Sequence, residues 1–149
     1  MMDETDKNIL NEIQSDFPIS SRPYHDLGTR LNLSESEIIK RIRRLKDVGI
    51  IRRIGGNFDS GLLGFTSTLC AAKVPEEKVN HFAEVVNRYP GVTHNYLRNN
   101  SFNLWFTFIA QDMARIENVL KEIAEETGVT EILNLPSVRT FKINAEFKL

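Results

Sequence analysis

Two short segments in the second half of the chain carry most of the side chains that could do chemistry. His94, Tyr96 and Arg98 alternate along the first segment, and Trp105 and Thr107 alternate along the next. Because alternate residues of a β-strand share a face, each segment predicts a strand with these side chains on one side. The two strands would offer an imidazole and a phenol that can transfer protons, and a guanidinium that can hold a carboxylate through two hydrogen bonds.

The spacing between the two segments predicts how the strands pair. A turn at residues 99–102 would align three pairs of residues across an antiparallel hairpin: Arg98 with Asn103, Tyr96 with Trp105, and His94 with Thr107. A shift of one residue would break this grouping, because every side chain would then change face. The same register directs Thr93 and Asn95 toward the face that the helices cover.

Three helices are predicted in the first part of the chain. Apolar residues at helical spacing place them at residues 4–14, 24–31 and 35–47. Ser34 and Glu37 have the spacing of a capping box at the start of the third helix. Two short helices, a tight turn and a third helix make a helix-turn-helix. The alternating residues 50–58, with Gly55-Gly56 at their centre, predict a hairpin that forms the wing.

The pattern changes near residue 60, where Gly61 and Gly64 flank a break. Strands are predicted at residues 65–74, 92–98, 102–110 and 129–135, with a strand-like extension over residues 138–144. Helices opened by Pro75 and Asp112 give the order βαββαβ, which is a ferredoxin-like unit. We therefore predict an α+β protein with two domains: a winged helix-turn-helix over residues 1–60 and a ferredoxin-like domain over residues 61–149.

Composition and charge narrow the functional classes. With 41% hydrophobic and 26% charged residues, the chain has the balance of a soluble globular protein, and it lacks a signal sequence or membrane span, so we expect a cytoplasmic protein. Cys70 stands in an apolar run and is expected to be a buried structural thiol, and no Cys/His spacing indicates zinc. Residues 1–60 hold 10 basic and 10 acidic side chains, which makes DNA binding doubtful.

The helix-turn-helix resembles that of Lrp/AsnC regulators. The resemblance lies in Leu27-Gly28-Thr29-Arg30-Leu31-Asn32-Leu33-Ser34, Ile42-Arg43-Arg44-Leu45 and Gly49-Ile50-Ile51. In those regulators the second half binds amino-acid effectors, and a Gly-x-x-Asp turn belongs to the sensing region. Here that turn reads Asn100-Ser101-Phe102-Asn103, without the glycine or the acid.

A second resemblance indicates an enzyme and not an effector-sensing regulator. Residues 91–98 with 103–107, and residues 51–58 with 64–65, are similar to the sirohaem decarboxylases, which are Lrp-like enzymes. This resemblance implies a carbon–carbon lyase that removes carboxylates from the ring acetates of sirohaem to give didecarboxysirohaem in alternative haem biosynthesis. It also implies no cofactor beyond the iron tetrapyrrole substrate, and a paralogous subunit or a second copy as partner.

The resemblance implies roles for seven side chains. His94 and Tyr96 would be catalytic, each able to supply a proton, and His94 could instead be an axial ligand to the substrate iron. Substrate contacts would come from five residues: Arg98, Asn103 and Trp105 on the hairpin, and Arg52 and Arg53 on the wing.

Each residue also has a structural interpretation, and the chain has two other functional ones. A strand histidine can be a plain surface or core residue, Trp105 can be core, and the arginines can be solvated charges. The chain could be a DNA-binding Lrp/AsnC regulator, for which the basic run Lys40-Arg41-Ile42-Arg43-Arg44 would be the recognition surface. It could also be a haem-binding sensor without catalysis.

Overall fold

A computed structural model describes residues 2–56, 58–142, 147 and 149. The chain separates into two compact units, one formed by residues 1–56 and 142–149 and the other by residues 57–141. The division falls between residues 56 and 57. The boundary predicted from the sequence lies four residues later, between residues 60 and 61. The first unit includes C-terminal residues because the Gln14 side chain donates to the Phe147 carbonyl (2.8 Å) and accepts from its amide (2.9 Å).

The first unit is the predicted helix-turn-helix. Its helices are α1 (Glu4–Ser15), α2 (Pro23–Leu31) and α3 (Glu35–Asp47). They pack around one core, which is formed by Ile9, Leu10, Leu27, Ile38, Ile42, Leu45 and Ile51. The turn between α2 and α3 is tight, and a side chain at Gly28 would overlap the carbonyl oxygen of Leu33. Only glycine therefore fits there without displacing backbone.

The start of α3 carries half of the predicted capping box. Ser34 accepts a hydrogen bond from the Glu37 amide (3.2 Å), as predicted. The Glu37 carboxylate accepts from Nε of Arg41 (2.7 Å) one turn along the helix. The reciprocal capping box forms at α1 instead, where Asp3 and Asp6 each accept from the other's backbone amide.

The predicted hairpin wing is wrong for the residues that the structure describes. Residues 50–56 contain no strand, and Asn57 lies outside the described residues. Gly49 adopts a left-handed conformation (φ 78°) that ends the turn after α3. The Ile50 and Ile51 amides then both donate to the Leu45 carbonyl. Since these amides complete the helix end, they cannot begin a strand ladder.

A charge cluster joins α1 to α3. The carboxylate of Asp6 is fully buried and accepts hydrogen bonds from Arg41 (2.9 Å) and from Arg44. Arg41 also pairs with Asp3 (2.7 Å). Burial opposes the charge on Asp6, but the hydrogen bonds from Arg44, the Asp3 amide and Arg41 outweigh it, so the pKa of Asp6 lies below its ordinary value of 3.8. Two arginines of the predicted recognition helix are thus neutralised within the unit.

We expect Asp6→Asn to lower the free energy of unfolding of the first unit by about 2 kcal/mol at pH 7, because the buried arginine contacts lose their charged partner. Since the pKa of Asp6 is lowered by folding, its contribution is complete above pH 3.8. It is lost as the pH falls from there toward the folded-state pKa. Urea unfolding followed by far-UV circular dichroism at pH 7 and at pH 3 measures both effects.

Asp16→Asn is the matched control, because Asp16 pairs with Arg30 (2.7 Å) while most of its side chain is exposed. This variant should change stability much less, since exposed ion pairs are screened by water and salt. Equal destabilisation by the two variants would show that the buried Asp6 cluster contributes no more to the free energy of unfolding than an exposed ion pair does.

The second unit has the predicted order βαββαβ. Its elements are β1 (Thr66–Ala72), α4 (Val79–Asn87, after a 3-10 turn at Glu76–Lys78), β2 (Val92–Leu97), β3 (Leu104–Ala110), α5 (Met113–Thr127) and β4 (Ile132–Pro136). The strands form one antiparallel sheet in the order β2-β3-β1-β4. The predicted strand-like extension is wrong over residues 138–142, which form no strand, and residues 143 and 144 lie outside the described part.

Helices α4 and α5 cover one face of this sheet. The buried side chains on that face include Cys70, Phe106 and Phe108, which pack against Phe82 of α4 and Ile116 of α5. Burial raises the pKa of the Cys70 thiol to about 12, so it stays protonated, as a structural thiol should. Among the described residues, no helix is long and apolar enough to cross a membrane.

Candidate functional site

The opposite face of the sheet carries the candidate site. The register pairs His94 with Thr107 and Tyr96 with Trp105, and the Arg98 amide donates to the Asn103 carbonyl (2.7 Å). This confirms the predicted register and the turn at residues 99–102. Leu104, Phe106 and Phe108 face the helices and are buried, so the residues between them face outward on the open side. The polar side chains of the two strands therefore share one face.

A β-bulge at Thr93 changes one part of the prediction. The pairing moves from Val92 opposite Phe108 directly to His94 opposite Thr107, so that Thr93 has no partner in the ladder. Asn95 does face the helices, as predicted, and its side-chain Nδ2 donates to the side chain of Asn87 on α4 (3.0 Å). Thr93 does not; it is exposed and lies beside His94. The bulge thus brings a hydroxyl next to the imidazole.

The backbone before the bulge is held by Gly91. Its carbonyl accepts from the Ile109 amide (2.9 Å), and a side chain at this position would overlap the Ile109 carbonyl oxygen and the Phe108 ring. We expect Gly91→Ala to destabilise the second unit by about 1–3 kcal/mol, because backbone must shift to admit the methyl group. Trp105 is the only tryptophan of the sequence and lies in this unit, so its fluorescence during urea unfolding reports the effect.

Gly55→Ala is the control for that substitution, because a side chain at Gly55 would meet no atom within 4 Å. It should leave the tryptophan transition unchanged. A Gly91→Ala transition that matches the wild-type one would contradict the close approach seen at the bulge.

His94 and Tyr96 form a stacked pair on the open face. Their ring centroids lie 5.9 Å apart with 26° between the planes, and both side chains are exposed. The Oγ1 atom of Thr93 lies 3.1 Å from Nδ1 of His94, which leaves Nε2 as the ring nitrogen available to another group. An imidazole and a phenol in this arrangement can both reach the same bound molecule as proton donors.

Arg98 and Trp105 form a second pair next to the first. The guanidinium carbon of Arg98 lies 5.7 Å from the centre of the Trp105 ring, at cation–π distance. The indole Nε1 donates to the Phe102 carbonyl (2.7 Å), which fixes the ring against the turn. The pair presents a flat aromatic surface with a cation above it, and both parts can contact a planar anion.

Asn103 has a different environment from the one predicted. Its side chain accepts from the Val74 amide (2.9 Å) and donates to the Val74 carbonyl (2.8 Å), while its own amide donates to Ala72. Both ends of the carboxamide are therefore occupied by backbone, and Asn103 extends the pairing between β1 and β3. Its side chain therefore has a structural role, in place of the predicted contact with substrate.

Arg52 and Arg53 lie in the first unit, both exposed in the segment that follows α3. They line a groove of about 880 Å³ whose other walls are mainly apolar. The apolar residues of these walls include Ile13, Phe17, Ile50 and Ile54. Within the described part of the chain, no cluster of three or more His, Cys, Asp or Glu side chains could hold a metal ion.

Apolar neighbours complete the open face, and the sequence prediction did not include them. Leu69 pairs with Thr107 on one side and Leu135 on the other, and Ala71 pairs with Trp105 and Leu133 in the same way. The three leucines are 40–42% exposed. Their alternation along β1 and β4 was visible in the sequence, but the strand order that brings them onto the same face as His94 was not.

Both parts of the chain match models of known protein families. Residues 62–142 match the AsnC-like ligand binding domain, and residues 6–52 match the siroheme decarboxylase NirDL-like HTH domain. The class is therefore the two-domain Lrp/AsnC type, and the main fold prediction is confirmed.

Relatives that match along nearly the whole chain identify its family. The siroheme decarboxylase alpha subunit of Desulfovibrio desulfuricans is 51% identical over 148 residues, which are 99% of this chain and 85% of that protein. The alpha subunit of Nitratidesulfovibrio vulgaris is 48% identical over 149 residues, 100% of this chain and 84% of the relative. The chain belongs to the siroheme decarboxylase family.

A solved structure of the same family supports this assignment. The crystal structure of the siroheme decarboxylase NirDL in complex with an iron-uroporphyrin III analogue matches with a TM-score of 0.66 and 36% identity. The match covers 95% of this chain and 48% of that one, so the present chain spans about half the length of NirDL.

Proposed function

We propose that the chain is a subunit of a sirohaem decarboxylase, a carbon–carbon lyase that removes carboxylate groups from the ring acetates of sirohaem to give didecarboxysirohaem. The observation that carries this proposal is the open sheet face, where the stacked His94 and Tyr96 lie beside the Arg98–Trp105 pair. Family membership supplies the substrate class, since the relatives carry the name siroheme decarboxylase and a family structure holds an iron-uroporphyrin III analogue.

The chemistry of the face suits a flat, carboxylate-fringed macrocycle. The indole of Trp105 and the exposed leucines Leu69, Leu133 and Leu135 offer an apolar surface on which a tetrapyrrole ring can lie. Arg98 stands at the end of β2, where its guanidinium can bind a ring carboxylate. A face built in this way binds the ring and selects its acidic side chains at the same time.

The proposed reaction needs no cofactor beyond the iron tetrapyrrole substrate. The bond between the acetate methylene and its carboxylate breaks, carbon dioxide leaves, and the electron pair moves into the conjugated macrocycle. A proton from His94 or Tyr96 then completes the new methyl group. His94 has a second proposed role as axial ligand to the substrate iron, in which case Tyr96 is the donor.

Arg52 and Arg53 remain proposed substrate-binding residues. Both residues line the mainly apolar groove of the first unit. Apolar walls with two cations at the edge fit an apolar molecule that carries carboxylates, which is the character of a tetrapyrrole.

The proposed partner is a paralogous subunit, or a second copy of this chain. The name alpha subunit, carried by the relatives, implies an enzyme of more than one kind of subunit.

The test is anaerobic incubation of the protein with sirohaem, alone and with its paralogous subunit, followed by mass spectrometry of the tetrapyrrole. We expect stepwise loss of carbon dioxide. An unchanged tetrapyrrole mass in both incubations, despite a shifted absorption band, would instead identify a haem-binding sensor.

The regulator alternative receives less support from the first unit. Arg41 and Arg44 of α3 form ion pairs with Asp3 and Asp6 near the start of α1. Their positive charges are therefore already compensated in the protein without DNA. DNA affinity depends on uncompensated cations that release counterions on binding. We therefore propose that the helix-turn-helix is retained as a scaffold.

A further inference from the structure

We propose that Thr93 is a positioning residue that holds the proton on Nδ1 of His94 and so turns an unprotonated Nε2 toward the substrate iron. This inference rests on the proposed function and specifies how its histidine is prepared. It starts from the β-bulge, which is the one place where the hairpin departs from regular pairing between Val92 and Leu97.

The bulge is what makes the contact possible. In a regular strand, neighbouring side chains point to opposite faces, and Thr93 would be turned away from His94. Because Thr93 is the extra residue of the bulge, both side chains are exposed, and Thr93 Oγ1 lies 3.1 Å from His94 Nδ1. The hydroxyl can accept a hydrogen bond from the ring at this distance.

The bulge is fixed on both sides. Before it, the Gly91 carbonyl accepts from the Ile109 amide, and the Val92 amide donates to the Tyr89 carbonyl (2.9 Å). After it, the Asn95 side chain donates to Asn87 on α4. The position of Thr93 relative to His94 is therefore set by the fold of the second unit rather than by a mobile loop.

A hydrogen bond at one ring nitrogen decides what the other nitrogen can do. A neutral imidazole carries one proton, so an acceptor at Nδ1 favours the tautomer with a bare Nε2, which is the form that binds a metal. Metal-bound histidines are commonly held in this way by a second group, and loss of that group typically weakens metal binding about 10- to 100-fold. Stacking on Tyr96, at 5.9 Å, restricts the ring further.

The experiment uses the full chain and iron(III) uroporphyrin III as the probe. Absorbance titration gives the dissociation constant, and electron paramagnetic resonance gives the signature of imidazole-bound iron. We expect Thr93→Val to weaken binding about tenfold and to reduce the imidazole signature. Thr93→Ser should restore both, because it keeps the hydroxyl. Thr130→Val, the same change at an exposed position after α5, should have no effect.

Three results would overturn the inference. Wild-type affinity and spectrum in Thr93→Val, with the signature lost in His94→Ala, would show that His94 binds iron without help from Thr93. An unchanged spectrum in His94→Ala would show that His94 does not meet the iron. A slower decarboxylation of sirohaem in Thr93→Val with an unchanged spectrum would show that the hydroxyl donates to Nδ1 and that Nε2 is the proton donor. The proposed function fails separately, if the wild-type enzyme causes no loss of carbon dioxide.

Discussion

His94→Ala should lower the rate of sirohaem decarboxylation by at least about a hundredfold, which is the lower end of what a positioned proton donor contributes. The imidazole is exposed on the open face, stacks on Tyr96 and has its Nδ1 atom beside Thr93. Both of its proposed roles, proton donor and iron ligand, are lost in the variant. The measurement is the rate of mass loss from sirohaem under anaerobic conditions, with the subunit assembled as in the wild-type enzyme.

The matched control is His81→Ala. His81 is exposed on α4, which covers the other face of the sheet, so its removal should leave the rate unchanged. His94→Ala should also keep the wild-type unfolding transition of Trp105, since the His94 side chain is exposed. A His94→Ala enzyme that works at the wild-type rate would rule out both proposed roles for this residue.

Arg98→Met should weaken tetrapyrrole binding by roughly ten- to a hundredfold, as expected for the loss of a charge-assisted hydrogen bond worth about 1.5–3 kcal/mol. Methionine keeps much of the side-chain length and its contact with Trp105, so the change isolates the guanidinium. The effect should be large for iron uroporphyrin III and small for its methyl ester, because only the free carboxylate forms a bidentate pair with arginine. Absorbance titration of both ligands measures the two affinities.

Arg139→Met is the control, because it removes a second arginine that lies over an aromatic ring. The guanidinium of Arg139 lies 4.7 Å from the centre of the Phe141 ring, in the same unit, and both residues are exposed. This variant should bind both ligands as the wild type does. Equal losses in the two variants would mean that general positive charge, and not the position of Arg98, attracts the ligand.

The predicted site and the observed site differ most clearly at two residues. Asn103 falls at its predicted register position, yet its carboxamide pairs with the backbone of Val74. Thr93 was expected to face the helices, but the bulge turns it toward His94. In both cases the strand was predicted correctly and the orientation of one side chain was not. Proposals built on strand alternation alone would therefore have kept a residue that belongs to the framework and missed one beside the imidazole.

Features that depend on residues near one another in the chain could be predicted from the sequence. Helical spacing of apolar residues marked the three helices of the first unit, and α3 begins and ends where its capping signals indicated. Alternation in the two strands, with a short polar turn at residues 99–102, fixed the register that aligns Tyr96 with Trp105. These patterns are local, because a helix or a hairpin is closed by hydrogen bonds between residues that are near in sequence.

Features that join distant parts of the chain depend on the three-dimensional packing and could not be predicted in this way. Asp6 meets Arg41 and Arg44 across more than thirty positions of sequence, and the strand order places Leu69 of β1 beside the hairpin and the leucines of β4 one strand further away. The amides of Ile50 and Ile51 are used by the end of α3, so the alternation after them could not become a strand. A buried backbone polar group needs a hydrogen-bond partner, and the packing of the whole unit determines which partner is within reach. The bulge that places Thr93 beside His94 likewise depends on the packing of the second unit.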